Sequence, residues 1–327
     1  MGIILIFVKL MAIKIDQIKG NLTVVMYHYV REIKESLYPG IKGLEFEKFK
    51  TQLDHLQSKY QIIQAEDVIS SCLNGSPIPE NSCLLTFDDG YKDHIKFVLP
   101  ELKSRKIQGT FFPPAKAILD RELLGVNAIH FILERCTDYK LLLKELFDLC
   151  ISRDIKEELL NEWKVAYGST GKWDSEPQPA LIKRLLQFLL PERIRADITS
   201  ILFEKYVGQK QRDFADDLYL TTDDLKIMLA DGMYIGSHGY KHFWLDRSSA
   251  DEQKEEIINS LKFLTQIGAS TKDWMMCYPH GAYNNDTVKL LDEYNCGIAF
   301  KDSGGETILD IDRRYDLARY DTNDFPQ

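Results

Sequence analysis

No Cys-x-x-Cys pair occurs anywhere in the chain. The six cysteines, Cys72, Cys83, Cys136, Cys150, Cys277 and Cys296, are scattered and sit mostly among apolar neighbours. That pattern reads as buried free thiols and argues against a cysteine-bound zinc cluster. Long apolar runs are absent as well: Gly2–Val8 is apolar, but Lys9 interrupts it far short of a bilayer span. No basic leader precedes it and no clear cleavage site follows, so a cytoplasmic protein is expected, with Met11 as an alternative natural start. Positive charge is in deficit, with 41 Lys and Arg against 50 Asp and Glu and a net charge of −9. This disfavours nucleic acid or an anionic membrane as the main partner and says little about a neutral sugar. Internal repeats and low-complexity tracts are also missing. What remains is a 327-residue chain, 44% apolar, that can bury one large core or one domain carrying an insertion.

One stretch organises the rest: Thr86-Phe87-Asp88-Asp89-Gly90-Tyr91. The apolar run Cys83–Phe87 before it reads as a buried strand, and Gly90 permits a sharp turn after it. Two adjacent carboxylates therefore stand at a strand end. A cation held by one would relieve their repulsion and leave the other free to take a proton. Around this stretch β and α signals alternate. Leu22–Tyr27 reads as a first strand with His28 at its end, Glu45–Tyr60 as an amphipathic helix, and Gln61–Ile63 as a short strand. A short helix follows over Ala65–Leu73. Asp93–Arg105 reads as a helix kinked or restarted at Pro100, and Thr110–Phe112 as the next strand. From Ala115 to about Asp216, Leu-, Glu- and Lys-rich helical periodicity takes over, which reads as an inserted helical subdomain. Alternation then resumes with a helix capped near Thr221–Asp224, the strand Met233–Gly236 and a helix over Ala250–Ile267 capped by Ser249. The strand Met275–Pro279, a helix over Asp286–Tyr294, the strand Gly297–Phe300 and a last strand around Asp316–Tyr320 complete it.

Three strand ends carry polar groups: Asp88-Asp89, His238 with His242, and Tyr278-Pro279-His280-Gly281. In a parallel α/β barrel or sheet these ends converge on one face, where active sites form. Two histidines separated by three residues can bind one ion, and an added aspartate completes a two-His, one-carboxylate set with positions left for water and substrate. A glycosidase built on the paired carboxylates is disfavoured, because adjacent residues cannot flank a glycosidic bond at the separations that chemistry needs.

Together Thr86-Phe87-Asp88-Asp89-Gly90, Ser237-His238-Gly239-Tyr240-Lys241-His242 and Tyr278-Pro279-His280-Gly281-Ala282-Tyr283-Asn284 resemble the motifs of the polysaccharide deacetylases, the metal-dependent carbohydrate esterases with a NodB-type domain. The resemblance covers roughly residues 20–114 and 217–321 and is similar to the Tyr-Pro-x-Gly branch. It implies an α/β fold, a distorted (β/α) barrel, over 20–114 and 217–327, with an all-helical insertion at 115–216 and an N-terminal extension at 1–19. It implies a hydrolase that removes an acetyl group, N-acetyl expected, from a saccharide or a nucleotide- or lipid-linked sugar precursor. Asp89, His238 and His242 match the metal ligands, for one divalent ion, with zinc expected and cobalt, nickel or manganese as substitutes. Asp88 matches the general base, and a backbone N–H at the Tyr278 loop is expected to help hold the oxyanion. His28, Tyr91 and Tyr278 are the expected substrate contacts. The chain departs from the pattern in three places. Cys277 stands where many relatives carry an arginine that holds the base, and Arg319 is the expected replacement. No histidine follows His280, so His280 is the expected general acid, with His28 as the alternative. The insertion is the third departure; its apolar stripes are expected to pack on one another, to wall the substrate cleft or to meet a second copy of the chain. The competing reading is a glycan- or partner-binding protein that keeps the metal site without turnover.

Overall fold

The computed structural model describes residues 21–170 and 176–326. The expected N-terminal extension and the choice between Met1 and Met11 lie outside these residues. The described residues divide into two compact units, one of residues 21–28, 47–115 and 222–326, the other of residues 29–46, 116–170 and 176–221.

Among the described residues the first unit is built on nine strands: β1 Asn21–Tyr27, β2 Gln61–Ile62, β3 Ser82–Asp88, β4 Thr110–Phe112, β5 Tyr234–Ile235, β6 Trp274–Cys277, β7 Cys296–Phe300, β8 Thr307–Ile308 and β9 Tyr320–Asp321. β3 is buried along its whole length. It pairs in parallel with β1, Leu22 opposite Ser82 through Tyr27 opposite Phe87. Its other edge takes β2 at the start and β4 at the end. β4 pairs with β5, and a single parallel bridge from Ser237 to Met276 links β5 to β6. β6 pairs with β7, a bridge from Phe300 to Leu317 reaches the last segment, and β9 returns to β1 with Val25 opposite Tyr320. The circuit is thus closed, partly by single bridges, as a distorted barrel should be. Helices Phe46–Lys59, Ala65–Asn74, Leu99–Arg105, Thr222–Ala230, Ala250–Ile267 and Asn285–Glu293 fall between the strands.

Strand alternation sorts side chains into two layers. Val24, Leu84, Phe112, Met275, Cys277, Ile298 and Phe300 share one cluster drawn from strand after strand, the barrel interior. On the opposite face of β3, Phe87 stacks between Tyr27 at 4.9 Å and Phe111 at 4.7 Å, its register partners on β1 and β4. Thr86 and Asp88 alternate with Phe87 and so share the inner face with Leu84. At β5 a Cβ on Gly236 would stand 2.5 Å from the Phe112 ring and 2.8 Å from the Met275 carbonyl, so only glycine lets the strands close there. The expected helix over Asp93–Arg105 is a π-helical turn, His94–Val98, followed by an α-helix, Leu99–Arg105. Pro100 lies in the first turn of the α-helical part, where its missing N–H is tolerated.

The second unit is helical. Its main helices are Gly125–Arg135, Tyr139–Ile151, Glu157–Tyr167, Pro177–Arg184, Glu192–Val207 and Gln211–Leu218. A short parallel ribbon, Val30–Arg31 with Leu44–Glu45, accompanies them. Phe131 and Phe214 meet edge to face at 4.5 Å, with Tyr38 at 4.8 Å from Phe131 and Phe203 at 5.2 Å from Phe214. Arg121 ties the two ends of the long segment together. Its guanidinium donates to the Ala215, Asp216, Tyr219 and Leu220 carbonyls at 3.0, 3.1, 3.1 and 2.6 Å. These include carbonyls at the C-terminus of Gln211–Leu218, where a cation is favoured.

Candidate metal centre

Asp88 ends β3 with its side chain facing the barrel interior, and Asp89 would point the other way if the strand continued. It does not, because Asp89 adopts φ 70°. This left-handed backbone costs a non-glycine residue about 1–3 kcal/mol and swings the second carboxylate to the same end of the barrel as the first. Gly90 follows at φ 64°, so the turn that the sequence attributes to glycine begins one residue earlier. The Asp89 N–H donates to the Phe112 carbonyl at 3.1 Å, and the Tyr91 hydroxyl donates to Asp89 Oδ2 at 2.5 Å.

Asp89 Oδ1 is buried and accepts no hydrogen bond within the described residues. His238 Nε2 lies 3.6 Å from it and His242 Nε2 3.5 Å. These separations are too long for good hydrogen bonds and suit three donors arranged around one cation. His238 Nδ1 is 2.9 Å from the Cys277 carbonyl. A carbonyl only accepts, so Nδ1 carries the proton and the Nε2 lone pair turns to Asp89. Burial first, and His238 next, pull His242 down to about 4, so its imidazole is neutral near pH 7 and available as a ligand. Asp89, His238 and His242 form one group of potential metal ligands. An orphaned buried oxygen, two neutral-capable imidazoles and mixed N and O donors fit a divalent ion.

Beside this group stands a buried ion pair. Arg319 grips Asp88 with two prongs, NH1 to Oδ1 at 2.9 Å and NH2 to Oδ2 at 2.7 Å, and both side chains are 1% exposed. Arg319 NH1 also reaches Thr86 Oγ1 at 3.2 Å, while that hydroxyl donates to the Val25 carbonyl at 2.8 Å. Burial alone would push the Asp88 carboxyl up. The Arg319 guanidinium, with His238 and His28, more than offsets it and holds Asp88 well below the usual carboxylate range. Cys277 Sγ is 3.5 Å from Asp88 Oδ2, and burial raises the thiol well above its ordinary value, which keeps it protonated and able to donate. His28 Nε2 stands 3.9 Å from the same oxygen, with its side chain 42% exposed.

The residues expected to touch substrate are placed unequally. His28 opens to solvent. Tyr91 is fully buried and serves Asp89 instead. Tyr278 is 1% exposed, stacks on Tyr283 at 4.5 Å and donates its hydroxyl to the Tyr315 carbonyl. Both tyrosines are therefore corrected from substrate contacts to framework residues, because buried phenols with protein partners present no face to a ligand. The Tyr278 N–H also donates to the Phe300 carbonyl at 3.0 Å in the β6–β7 ladder, so any oxyanion donor must come from elsewhere in that loop. His280 stacks on Trp244 at 4.3 Å and meets His242 edge to face at 4.6 Å, with its backbone at φ 58°.

Other contributors escape a motif reading. His94 sits fully buried in the π turn, its Nε2 3.0 Å from the His28 carbonyl. Glu256 lies within Ala250–Ile267, buried at 4% exposure. The signal for it was present: Gln253, Glu256 and Ser260 form a polar stripe at helical spacing beside the apolar one, and all three are buried.

A family profile described as polysaccharide deacetylase matches residues 172–298, which hold His238, His242 and Tyr278-Pro279-His280-Gly281 but stop short of Asp88 and Arg319. No curated protein matches the chain. Among solved structures, the chain is similar to the Streptococcus pyogenes deacetylase PplD in complex with acetate, at 16% identity, 92% of each chain covered and a TM-score of 0.54. IcaB from Ammonifex degensii is likewise similar, at 16% identity, 92% of this chain and 91% of that one covered, and a TM-score of 0.54. A de-N-acetylase from Aggregatibacter actinomycetemcomitans follows at 14% identity, 92% and 94% coverage, and a TM-score of 0.52. At such identities the likeness is one of fold, and it spans nearly the whole of each chain.

Proposed function

The chain belongs to the polysaccharide deacetylase family, and on that premise we propose that it hydrolyses the acetyl group of an N-acetylated saccharide, or of a nucleotide- or lipid-linked sugar precursor, with a divalent metal ion. The observation that carries this reading is the orphaned Asp89 Oδ1 facing two imidazole nitrogens, next to a second carboxylate held ionised by a buried arginine. We assign Asp89, His238 and His242 as ligands and zinc as the ion, since mixed N and O donors suit it. When bound there, the ion supplies Lewis acidity that polarises an acyl carbonyl and makes a neighbouring water more acidic.

Asp88 takes the proton of the attacking water. Arg319 fixes the plane of that carboxylate and leaves each oxygen a further lone pair, so the base is oriented and ionised before substrate arrives. The Cys277 thiol adds a weak donor to Oδ2. The departing amine needs a proton. His28 is the better placed of the two acid candidates, because it stands 3.9 Å from Asp88 Oδ2 and reaches solvent, whereas His280 is packed on Trp244. A protein that only binds glycans has no use for a clamped, ionised second carboxylate beside its metal, which favours turnover over the binding reading.

Acetate release from acetylated nucleotide sugars and short N-acetylated oligosaccharides, with zinc supplied, tests the activity. His238→Ala and His242→Ala proteins should lose both the metal and the release. Full metal content in both variants removes the site, and a metal-loaded native chain that releases no acetate from any of these substrates leaves the binding protein standing.

A further inference from the structure

The two histidines assigned as ligands sit on one short loop, Ser237 to His242, and nothing in a loop of this kind holds two imidazoles in register by itself. Its backbone is unusual: Gly239 lies at φ 75° and His242 at φ 63°, both left-handed. Successive N–H groups consequently turn the same way and form a concave donor set of the sort that receives an anion. One anion fills it. Glu256 Oε2 accepts from the Tyr240 N–H at 2.9 Å and from the Lys241 N–H at 2.8 Å. The neighbouring donor, Gly239 N–H, goes to Ser237 Oγ at 3.1 Å, and the Gly239 carbonyl accepts from Ala115 N–H at 3.2 Å. A Cβ on Gly239 would come within 3.3 Å of the same Glu256 oxygen, so the loop is drawn up to the carboxylate as closely as glycine allows.

Glu256 is 4% exposed, and a carboxylate so deeply placed is stabilised only by strong donors. It is carried by the helix Ala250–Ile267, whose start is fixed by a capping box: Ser249 Oγ accepts from Glu252 N–H at 3.3 Å, and Glu252 Oε2 accepts from Ser249 N–H at 2.8 Å. Gln253 anchors the same face, its Oε1 accepting from Thr287 Oγ1 at 2.6 Å and its Nε2 donating to the Ser248 carbonyl at 3.0 Å, while Ser260 Oγ donates within the helix to the Glu256 carbonyl at 2.8 Å. The carboxylate is thus held from a rigid element and reaches the midpoint of the stretch between His238 and His242.

We propose that Glu256 is a positioning residue for the metal centre: by binding the Tyr240 and Lys241 N–H groups it fixes the backbone between His238 and His242 and so sets the spacing of their imidazoles before the ion arrives. The inference rests on the metal reading of Asp89, His238 and His242 given above. A preorganised ligand pair loses less freedom on binding, so removal of the clamp weakens metal affinity rather than the chemical step.

Zinc affinity of the metal-free full chain, measured by competition with a chelator of known strength, is the test. Glu256→Gln keeps the shape but replaces a two-bond anion by a neutral amide, and Glu256→Asp keeps the charge but draws the oxygen back. Both should bind zinc about ten- to a hundredfold more weakly, the usual effect of removing a group that orients metal ligands. At saturating zinc, kcat should return to within a few-fold of native, roughly the scatter expected when only metal occupancy has changed. Gln253→Ala, which loosens the same helix without touching the loop, should lower Tm and leave zinc affinity unchanged. Native affinity in both folded Glu256 variants overturns the proposal, as does a loss in Gln253→Ala as large as theirs. If Glu256→Gln does not fold, Glu256→Asp decides alone by the same criterion. A native chain that binds no zinc would instead remove the metal reading itself.

Discussion

The barrel unit and the helical unit bury different kinds of side chain. Among the described residues, the helical unit buries Asn127 and Thr199, neither of which ionises, and one carboxylate side chain deeply, Glu134 at 7% exposure, which accepts from the Gly40 N–H at 3.2 Å. The barrel unit buries Asp88, Asp89, Asp93, His94, His238, Glu256 and Arg319. Desolvating a charge is expensive unless it is paired or hydrogen-bonded, and the helical unit largely avoids that cost by packing Tyr38, Phe131, Phe203 and Phe214 edge to face. The barrel unit accepts it at one end and meets it with matched partners: Arg319 for Asp88, the Tyr91 hydroxyl for Asp89 Oδ2, and two backbone N–H groups for Glu256. Buried charge so concentrated marks where chemistry is done, and its scarcity marks a part of the chain held together by ordinary apolar packing.

That contrast can be tested from its strongest point downward. Asp88→Asn should retain zinc and lower acetate release by about 10²–10⁴-fold, the usual worth of a general base, because an amide does not take the proton. Near-native turnover in the zinc-loaded protein would make the buried carboxylate a structural charge only. Arg319→Met leaves Asp88 buried without its cation, so it should cut turnover and also cost about 3–5 kcal/mol of stability, read from denaturant melts, with zinc content unchanged. An Arg314→Met protein is the matching control, since Arg314 pairs with Asp292 at the surface; it should change neither turnover nor zinc content.

In the helical unit the same measurements should separate. Phe203→Ala opens a cavity at a fully buried site and should cost about 3–5 kcal/mol while zinc affinity stays native. A fall in zinc affinity with Phe203→Ala would show that the two units are not energetically distinct. The smallest effect is expected from Arg121→Met, which removes the donors to the 215–220 carbonyls. A loss of about 1–3 kcal/mol, with native zinc affinity and native turnover at saturating zinc, is the expected outcome.

Particular residues show how far a linear reading reaches. The strand ending at Asp88 and the helices Phe46–Lys59 and Ala250–Ile267 were legible because their apolar spacing repeats at the period of the element they form. The Ser249 cap was legible because capping needs a short polar side chain followed three residues later by a glutamate. His238 and His242 were legible as a pair because a single loop carries both. Tyr91 and Tyr278 were misread because a tyrosine beside a motif looks the same whether its hydroxyl faces a ligand or a neighbour's carbonyl. Glu256 was passed over because helical charge is usually solvated, and only the packing of the helix against the 237–242 loop reverses that expectation.

The sequence by itself determined what is local and periodic: which stretches become strands and helices, where turns interrupt them, and which three strand ends carry groups capable of holding an ion. Tertiary structure alone decided which of three nearby arginines serves the base. Arg313 and Arg314 turn outward to Asp316 and Asp292, while Arg319 reaches Asp88 across 231 positions of chain. It also decided that Asp89 would leave the strand's alternation, through a left-handed backbone that aspartate tolerates better than most residues but does not by itself select. The choice of arginine comes from closure of the barrel. Closure sets β9 beside β1 and β1 beside β3, and so brings the last segment of the chain against a carboxylate that local sequence leaves without a cation.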